Sequence, residues 1–342
     1  MFKSNMLLSV YAILMTIIVI SIISLFARNS TSYNDIKIGS LSRDDTLILK
    51  GISILMVIFG HIGQVIPGMR LFTPLGAMGV GVFLFCSGYG IEKSYEKHGR
   101  KNYWYKRIIN VLVPYIFIEL LALPLHYHHG FISVLKDLLL IQPLHPFGWY
   151  MRFLFIWYII YYISSYIGKH KMPLLIIAGF VIWALCDSLH AQNAFSFAFG
   201  VIIARTSLLE NIVKPRNVLI GLLLGVLLFL TRDFIKNSNV DQRLLWNTIS
   251  LLYYLSLIIT TILAYKLISY NRVKLPYKAI SLIGVFSYEL YLVHGYAFTT
   301  LGVSATILSV TGFFVMCVVG SFILNKSNKL IIRSINGLIY HE

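Results

Sequence analysis

Apolar residues occupy this chain in long blocks, each closed by a short basic or polar cluster. The clearest block, MLLSVYAILMTIIVISIISLF (Met6 to Phe26), contains no charge. A helix rises about 1.5 Å per residue, so about 18–20 apolar residues cross the hydrocarbon core of a bilayer. The pattern predicts eleven spans, at 6–26, 46–66, 74–92, 108–126, 147–167, 172–188, 194–210, 216–231, 244–268, 279–300 and 303–324. The three between 172 and 231 are short, and losing one pair there leaves the sidedness of the others unchanged. The predicted class is an all-α membrane protein, a bundle of about 10–11 transmembrane helices. The first block is longer than a signal-peptide core and lacks a small-residue cleavage site, so it reads as a retained helix. No loop is long enough for an appended soluble domain, and no internal repeat or low-complexity tract interrupts the pattern.

Composition agrees. The 342 residues are 58% hydrophobic and 12% charged, with mean hydropathy +0.77, whereas a soluble domain carries about 25% charged residues. The net charge of +16 would suggest nucleic acid only if the basic residues clustered on a soluble domain. Instead, 21 of the 29 Lys and Arg residues fall in one alternating set of loops and 6 in the other. Cytoplasmic loops concentrate Lys and Arg, so this bias predicts an outside N-terminus and a cytoplasmic C-terminus. Cys86, Cys186 and Cys317 all lie in apolar runs, which gives no disulfide framework. Cys86 reads as an inert buried thiol.

Against this background, ionisable residues inside apolar blocks stand out. In ILKGISILMVIFGHI, Lys50 and His61 are eleven residues apart. At about 100° per residue that is three turns plus roughly 20°, with a rise of about 16 Å. Both therefore share one stripe with Ser53 and Val57. Lys50 can snorkel to the headgroups, while His61 falls near mid-membrane. A polar group there is costly unless it faces protein or water, and it marks a functional site by default. The plainer alternative makes Lys50 a boundary anchor and His61 a hydrogen-bonded packing residue. His294 and Glu289, five residues apart, point about 140° away from each other on a helix and so are not partners. His294 falls in the outer half of its span, where it can line a site or simply pack. Glu119 and Arg152 are expected to be buried against partners that the sequence does not name.

Six segments carry a resemblance. KGISILMVIFGH places Lys50 ten intervening residues before His61. GVGVFLFCSGYGI (Gly79 to Ile91) ends in Ser87, Gly88 and Tyr89. YWYKRIINVLVPY (Tyr103 to Tyr115) supplies Lys106, Arg107 and Pro114. FGWYMRFLFIWY (Phe147 to Tyr158), FSFAFGVIIAR and SYELYLVHG (Ser287 to Gly295, with Tyr291 and His294) follow in order. On this ordered set the chain resembles the acyltransferase type 3 family of multi-span membrane enzymes, over about residues 46–325. Two departures stand out. Lys50 occupies a position where that family usually has arginine, and an ammonium cannot make the bidentate contact of a guanidinium. Asn110 stands near the place of a further arginine. The resemblance implies an acyltransferase membrane domain at 46–325, an extra N-terminal transmembrane helix and cytoplasmic loop at 1–45, and a short cytoplasmic tail at 326–342.

It also implies an activity: transfer of an acyl group, usually acetyl, from cytoplasmic acyl-CoA to a hydroxyl of an extracytoplasmic glycan. Such chemistry needs a base, oxyanion donors and a held donor substrate. His61 is the expected base, since its ordinary pKa is near neutrality, or else a transient acyl carrier. Ser87 and Tyr89 are candidate donors to the thioester oxygen, with close packing at Ser-Gly as the alternative. Lys106 and Arg107, with help from Lys50, are candidates for the phosphates of coenzyme A, Arg107 as a bidentate clamp. Topology signalling is the alternative for that basic cluster. Trp149, Tyr291 and His294 are candidates for the acceptor site, although Trp149, like Trp104, also suits an interface belt. HYHH (His126 to His129) and His145 have no Cys or acidic ligand at a recognised spacing, so no metal is predicted. The expected partners are the bilayer, acyl-CoA as donor and a glycan or lipid-linked sugar as acceptor, with no nucleic acid. A transporter exporting a glycan or lipid-linked precursor is the second reading, although the two related halves common in transporters are not apparent. A sensor or scaffold without catalysis is the third.

Overall fold

The computed structural model describes residues 38–126, 128–237, 243–270, 276–302 and 306–340. The span predicted at 6–26 lies outside them. Every regular element among the described residues is helical. The first, α1 (Arg43–Val65), begins in a reciprocal cap: Asp45 N–H donates to Ser42 Oγ, and Ser42 N–H to the Asp45 carboxylate. This arrangement satisfies two of the amide groups that every helix start leaves open. A short 3₁₀ turn, Pro67–Phe72, reverses the chain into α2 (Pro74–His98).

The block predicted at 108–126 is not one helix. It comprises α3 (Tyr103–Arg107), a π turn (Ile108–Leu112), α4 (Val113–Leu121) and a 3₁₀ turn (Leu123–His126). Pro114 explains the break. It brings no N–H, and its ring crowds the carbonyl one turn back. The turn before it widens, so that Val113 N–H reaches Ile108 O. The following elements are α5 (Phe131–Leu138), α6 (Trp149–Ser164), α7 (Lys171–Leu185), α8 (Ser188–Ala191), α9 (Ser196–Arg205) and α10 (Leu208–Ile212). Two long helices come next, α11 (Pro215–Asn237) and α12 (Arg243–Tyr270). The block predicted at 279–300 is split at Phe286 into α13 (Tyr277–Val285) and α14 (Ser287–Thr300). The last helix, α15 (Ile307–Tyr340), runs beyond the predicted end at 324.

Five helical stretches are each long and apolar enough to cross a membrane: Arg43–Val65, Gly68–His98, Pro215–Ile235, Arg243–Tyr270 and Ile307–Ile335. The outer surface is apolar, with Leu308 85% and Phe131 81% exposed, while Glu92, Asp45, Lys171 and Lys266 are buried. Such an exterior suits lipid rather than water. The molecule is a multi-pass, all-α membrane bundle.

Small residues set the helix spacing. A Cβ on Gly88 would run into the main chain of Phe197, and one on Gly200 into the main chain of Phe85. Thus α2 and α9 cross in near backbone contact, as small residues permit where lipid supplies no hydrophobic drive between helices. Gly51 of α1 and Gly284 of α13 allow the same approach, Gly51 against Ile280 and Gly284 against Leu47. The second crossing lays α13 and α14 along α1.

One end of the bundle is rich in basic side chains. Two residues counted there from sequence as loop lysines are instead buried in ion pairs. Lys171 lies 2.7 and 2.9 Å from the Glu92 carboxylate, which also accepts from Tyr161 at 2.6 Å. Lys266 lies 3.1 Å from Asp45, which also accepts from Tyr265. These clamps tie α2 to α6 and α7, and α1 to α12.

Candidate functional site

α1 and α14 bring His61 and His294 together, with ring centroids 5.2 Å apart. Phe147, in the turn before α6, covers both: its ring is 4.1 Å from His61 and stacks on His294 at 5.4 Å. Phe298 adds a third contact to His61 at 5.8 Å. His294 is fully buried, while His61 is half-buried. His294 Nδ1 is 2.6 Å from Tyr291 O. A carbonyl only accepts, so Nδ1 carries the proton and Nε2 the lone pair. That Nε2 is buried without a hydrogen-bond partner, and so is Nδ1 of His61. Buried polar atoms are rarely left so. Tyr291 is fixed in turn, with its hydroxyl donating to Phe147 O at 2.9 Å.

From this pair a line of tyrosines runs toward the basic end. The Tyr291 ring lies 5.1 Å from His294 and 4.7 Å from Tyr150. Ser87 faces the phenols of Tyr150 and Tyr158. Tyr158 then meets Arg107, whose guanidinium lies 5.9 Å from that ring and 4.4 Å from the ring of Tyr103. Arg107 is 9% exposed and donates to Tyr103 O at 3.3 Å. Among the described residues it has no carboxylate partner. The π turn begins at Arg107, and Tyr288 of α14 donates to Val111 O within it, so the turn that carries Arg107 is fastened to the helix that carries His294.

The other sequence candidates are placed as follows. Tyr89 spends its hydroxyl on the main chain of Leu41, accepting from N at 2.9 Å and donating to O at 3.0 Å. It secures the approach to α1 rather than facing the histidines. Gly88, between Ser87 and Tyr89, is the packing contact described above, while Ser87 faces the two phenols. Lys50 lies beside Cys86 on the basic-end side of His61 and makes no ion pair among the described residues. Lys106 is half-buried, its carbonyl accepting from Asn110 Nδ2 at 2.8 Å. Trp149 packs on His190 at 5.3 Å, apart from the histidine pair. Arg152 reaches the Ile141 carbonyl at 3.3 Å on the exposed side. Glu289 pairs with Asn325 at 2.8 Å, away from His294.

A second polar group sits beyond the pair, toward the opposite end. Tyr296 donates to Glu119 at 2.5 Å and lies 3.3 Å from His126 Nε2. His145 Nδ1 accepts from Phe147 N–H at 3.2 Å, and its ring lies 4.3 Å from Tyr296. Tyr115 donates to Asp137 at 2.7 Å. Burial, with His294 nearby acting in the same direction, pushes the His145 imidazole down to about 4. A cavity of about 10 Å³, enough for about one water, lies among Tyr115, Glu119, His145, Phe147, Tyr291 and Tyr296. Among the described residues, no three His, Cys, Asp or Glu side chains group as metal ligands.

The fold and this buried polar line define a membrane-embedded protein with ionisable chemistry at the middle of its bundle. A family model, the Acyl_transf_3 acyltransferase domain, matches residues 47–326. The chain therefore belongs to this family and is a membrane acyltransferase. Neither the curated proteins nor the solved structures gave a match.

Proposed function

We propose that the protein moves an acyl group, acetyl by default, from cytoplasmic acyl-CoA to a hydroxyl of an extracytoplasmic glycan or lipid-linked sugar. One observation carries this reading. Two imidazoles, each with a buried ring nitrogen that has no hydrogen-bond partner, stand at the head of a tyrosine line whose far end holds a buried arginine with no carboxylate partner among the described residues. A polyanionic thioester suits such an arrangement. Its phosphates would meet Arg107 and Lys106, with Lys50 adding positive charge further in. The thioester arm would follow Tyr158, Ser87 and Tyr150 toward His61. In this reading the basic end faces the cytoplasm, as the loop charges suggest.

In the reaction the acceptor O–H gives its proton to an imidazole, and its oxygen attacks the thioester carbonyl. The C–S bond breaks, and the proton passes to the departing thiolate. Ser87 is assigned as a donor to the developing oxyanion. His61 is the indispensable group, as base or as transient carrier of the acyl group. Tyr291 and Phe147 hold the pair in register.

The test is mass spectrometry of envelope glycans from cells with the gene, without it, and with His61→Ala at matched abundance. Acylation is expected only in the first. Identical glycans in all three refute the proposal. Unchanged acylation with altered glycan export would favour a transporter instead.

A further inference from the structure

We infer that His294 removes the proton from the acceptor hydroxyl, which leaves His61 to meet the thioester; this rests on the acyl-transfer reading above. A ring nitrogen acts as a base only if it carries the lone pair, and the bond made by the other nitrogen decides which one does. The main-chain carbonyl of Tyr291 holds the His294 proton on Nδ1 at 2.6 Å. No titration of a partner side chain can reverse that choice. Nε2 is thereby committed as an acceptor, and it is buried without a partner. Among the described residues, His61 has no such tautomer-fixing bond.

Position agrees with this division. His294 is followed directly by Gly295 and Tyr296, which line the small cavity toward Glu119 and His145. It therefore stands on the side from which an acceptor would come. His61 shares its helix with Lys50, on the side of the basic end. The His294 ring is also held by its neighbours: Phe147 stacks on it at 5.4 Å, and the Tyr291 ring lies 5.1 Å away. A nucleophile activated by a base that is itself oriented by a third group is the general pattern for such sites.

The step balances. The acceptor O–H bond breaks and its proton goes to His294 Nε2. A C–O bond forms to the acyl carbon, the C–S bond breaks, and the thiolate takes the proton back from the imidazolium, so both rings end neutral. No oxidant or reductant is needed.

The experiment uses the full chain in detergent with labelled acetyl-CoA and two acceptors. One is the envelope glycan fraction from cells lacking the gene, whose hydroxyls need a base. The other is hydroxylamine, which attacks without prior deprotonation; because it also cleaves thioesters unaided, only hydroxamate in excess of a protein-free control is counted. In His294→Asn the amide can still donate to the Tyr291 carbonyl, but no ring nitrogen remains. Glycan acylation is expected to fall by about 10²–10⁴-fold, the usual worth of a general base, while hydroxamate formation persists. His61→Ala is expected to lose both. Folding is read separately, from the thermal melt of each variant in the same detergent; if His294→Asn does not fold, His294→Gln replaces it. Equal losses toward both acceptors, or full glycan acylation, overturn the inference. Wild-type protein that acylates neither acceptor overturns the reading of function beneath it.

Discussion

Replacing Lys171 by Met is expected to be among the most damaging single changes away from the histidine pair, and adding Glu92→Gln is expected to repair most of it. Glu92 is 2% and Lys171 3% exposed. Lys171 donates to both oxygens of the Glu92 carboxylate, at 2.7 and 2.9 Å. Without it, Glu92 keeps, among the described residues, only the Tyr161 hydroxyl and the guanidinium of Arg205 at 3.8 Å, which is partly exposed. Breaking a buried pair in this way costs about 3–5 kcal/mol, because a charge is left without compensation, whereas removing both charges is often neutral. With an unfolding entropy of about 2.1 cal/mol/K per residue, a chain of 342 residues shifts by roughly 1.4 °C per kcal/mol, so the single variant should lose about 4–7 °C in Tm. Thermal unfolding of wild type, both single variants and the double variant in one detergent completes the cycle. The double variant should unfold well above Lys171→Met. If Lys171→Met costs less than about 1 kcal/mol, or the double variant is as weak as the sum of the singles, then the pair is solvated and the buried-clamp argument fails.

Three further outcomes follow. Arg107→Ala should raise KM for acetyl-CoA by about 10–100-fold, the worth of a charge-assisted hydrogen bond of about 1.5–3 kcal/mol, with kcat little changed. Arg107→Lys should recover only part of this, and an unaltered KM in both variants would remove Arg107 from the donor site. Gly88→Ala, which puts a methyl into the main chain of Phe197, should cost about 1–3 kcal/mol. Gly90→Ala, two residues along the same helix and facing open space, should be neutral or stabilising in the same melts. His145, held at about 4 by burial against an ordinary value of 6.5, binds its proton more readily in the unfolded chain. Its contribution to stability is therefore complete above pH 6.5 and is lost as the pH falls toward 4. Melting temperatures across that window should decline less in His145→Gln than in wild type.

Hydropathy alone made the long helices legible, because α1, α2, α11 and α12 are near-continuous apolar runs bounded by charge or proline. The breaks were harder to read. A proline such as Pro114 can kink a helix, end it or widen one turn, and only the bond from Val113 N–H to Ile108 O shows which occurred. At Phe286 the sequence carries no proline, so the apolar run conceals the split between α13 and α14. The histidines were noticed because ionisable groups in an apolar block are expensive. Their pairing was not legible, since they lie on helices far apart in the chain. The same holds for Glu119 with Tyr296, Asp45 with Lys266 and Glu289 with Asn325, each joined across long stretches of sequence. Ser87 and Tyr89 looked equivalent by residue type. Two positions along a helix turn a side chain by about 200°, so one faces the tyrosine line and the other the main chain of Leu41.

The meeting of α1 and α14 also sets an order of events during synthesis. α1 is among the first of the described helices to leave the ribosome, and α14 is among the last. Until the late helix is inserted, His61 has no companion imidazole, and Tyr288 cannot fasten the turn that presents Arg107. A partly made chain thus lacks the paired histidines, and their meeting waits until membrane insertion has been carried through to α14.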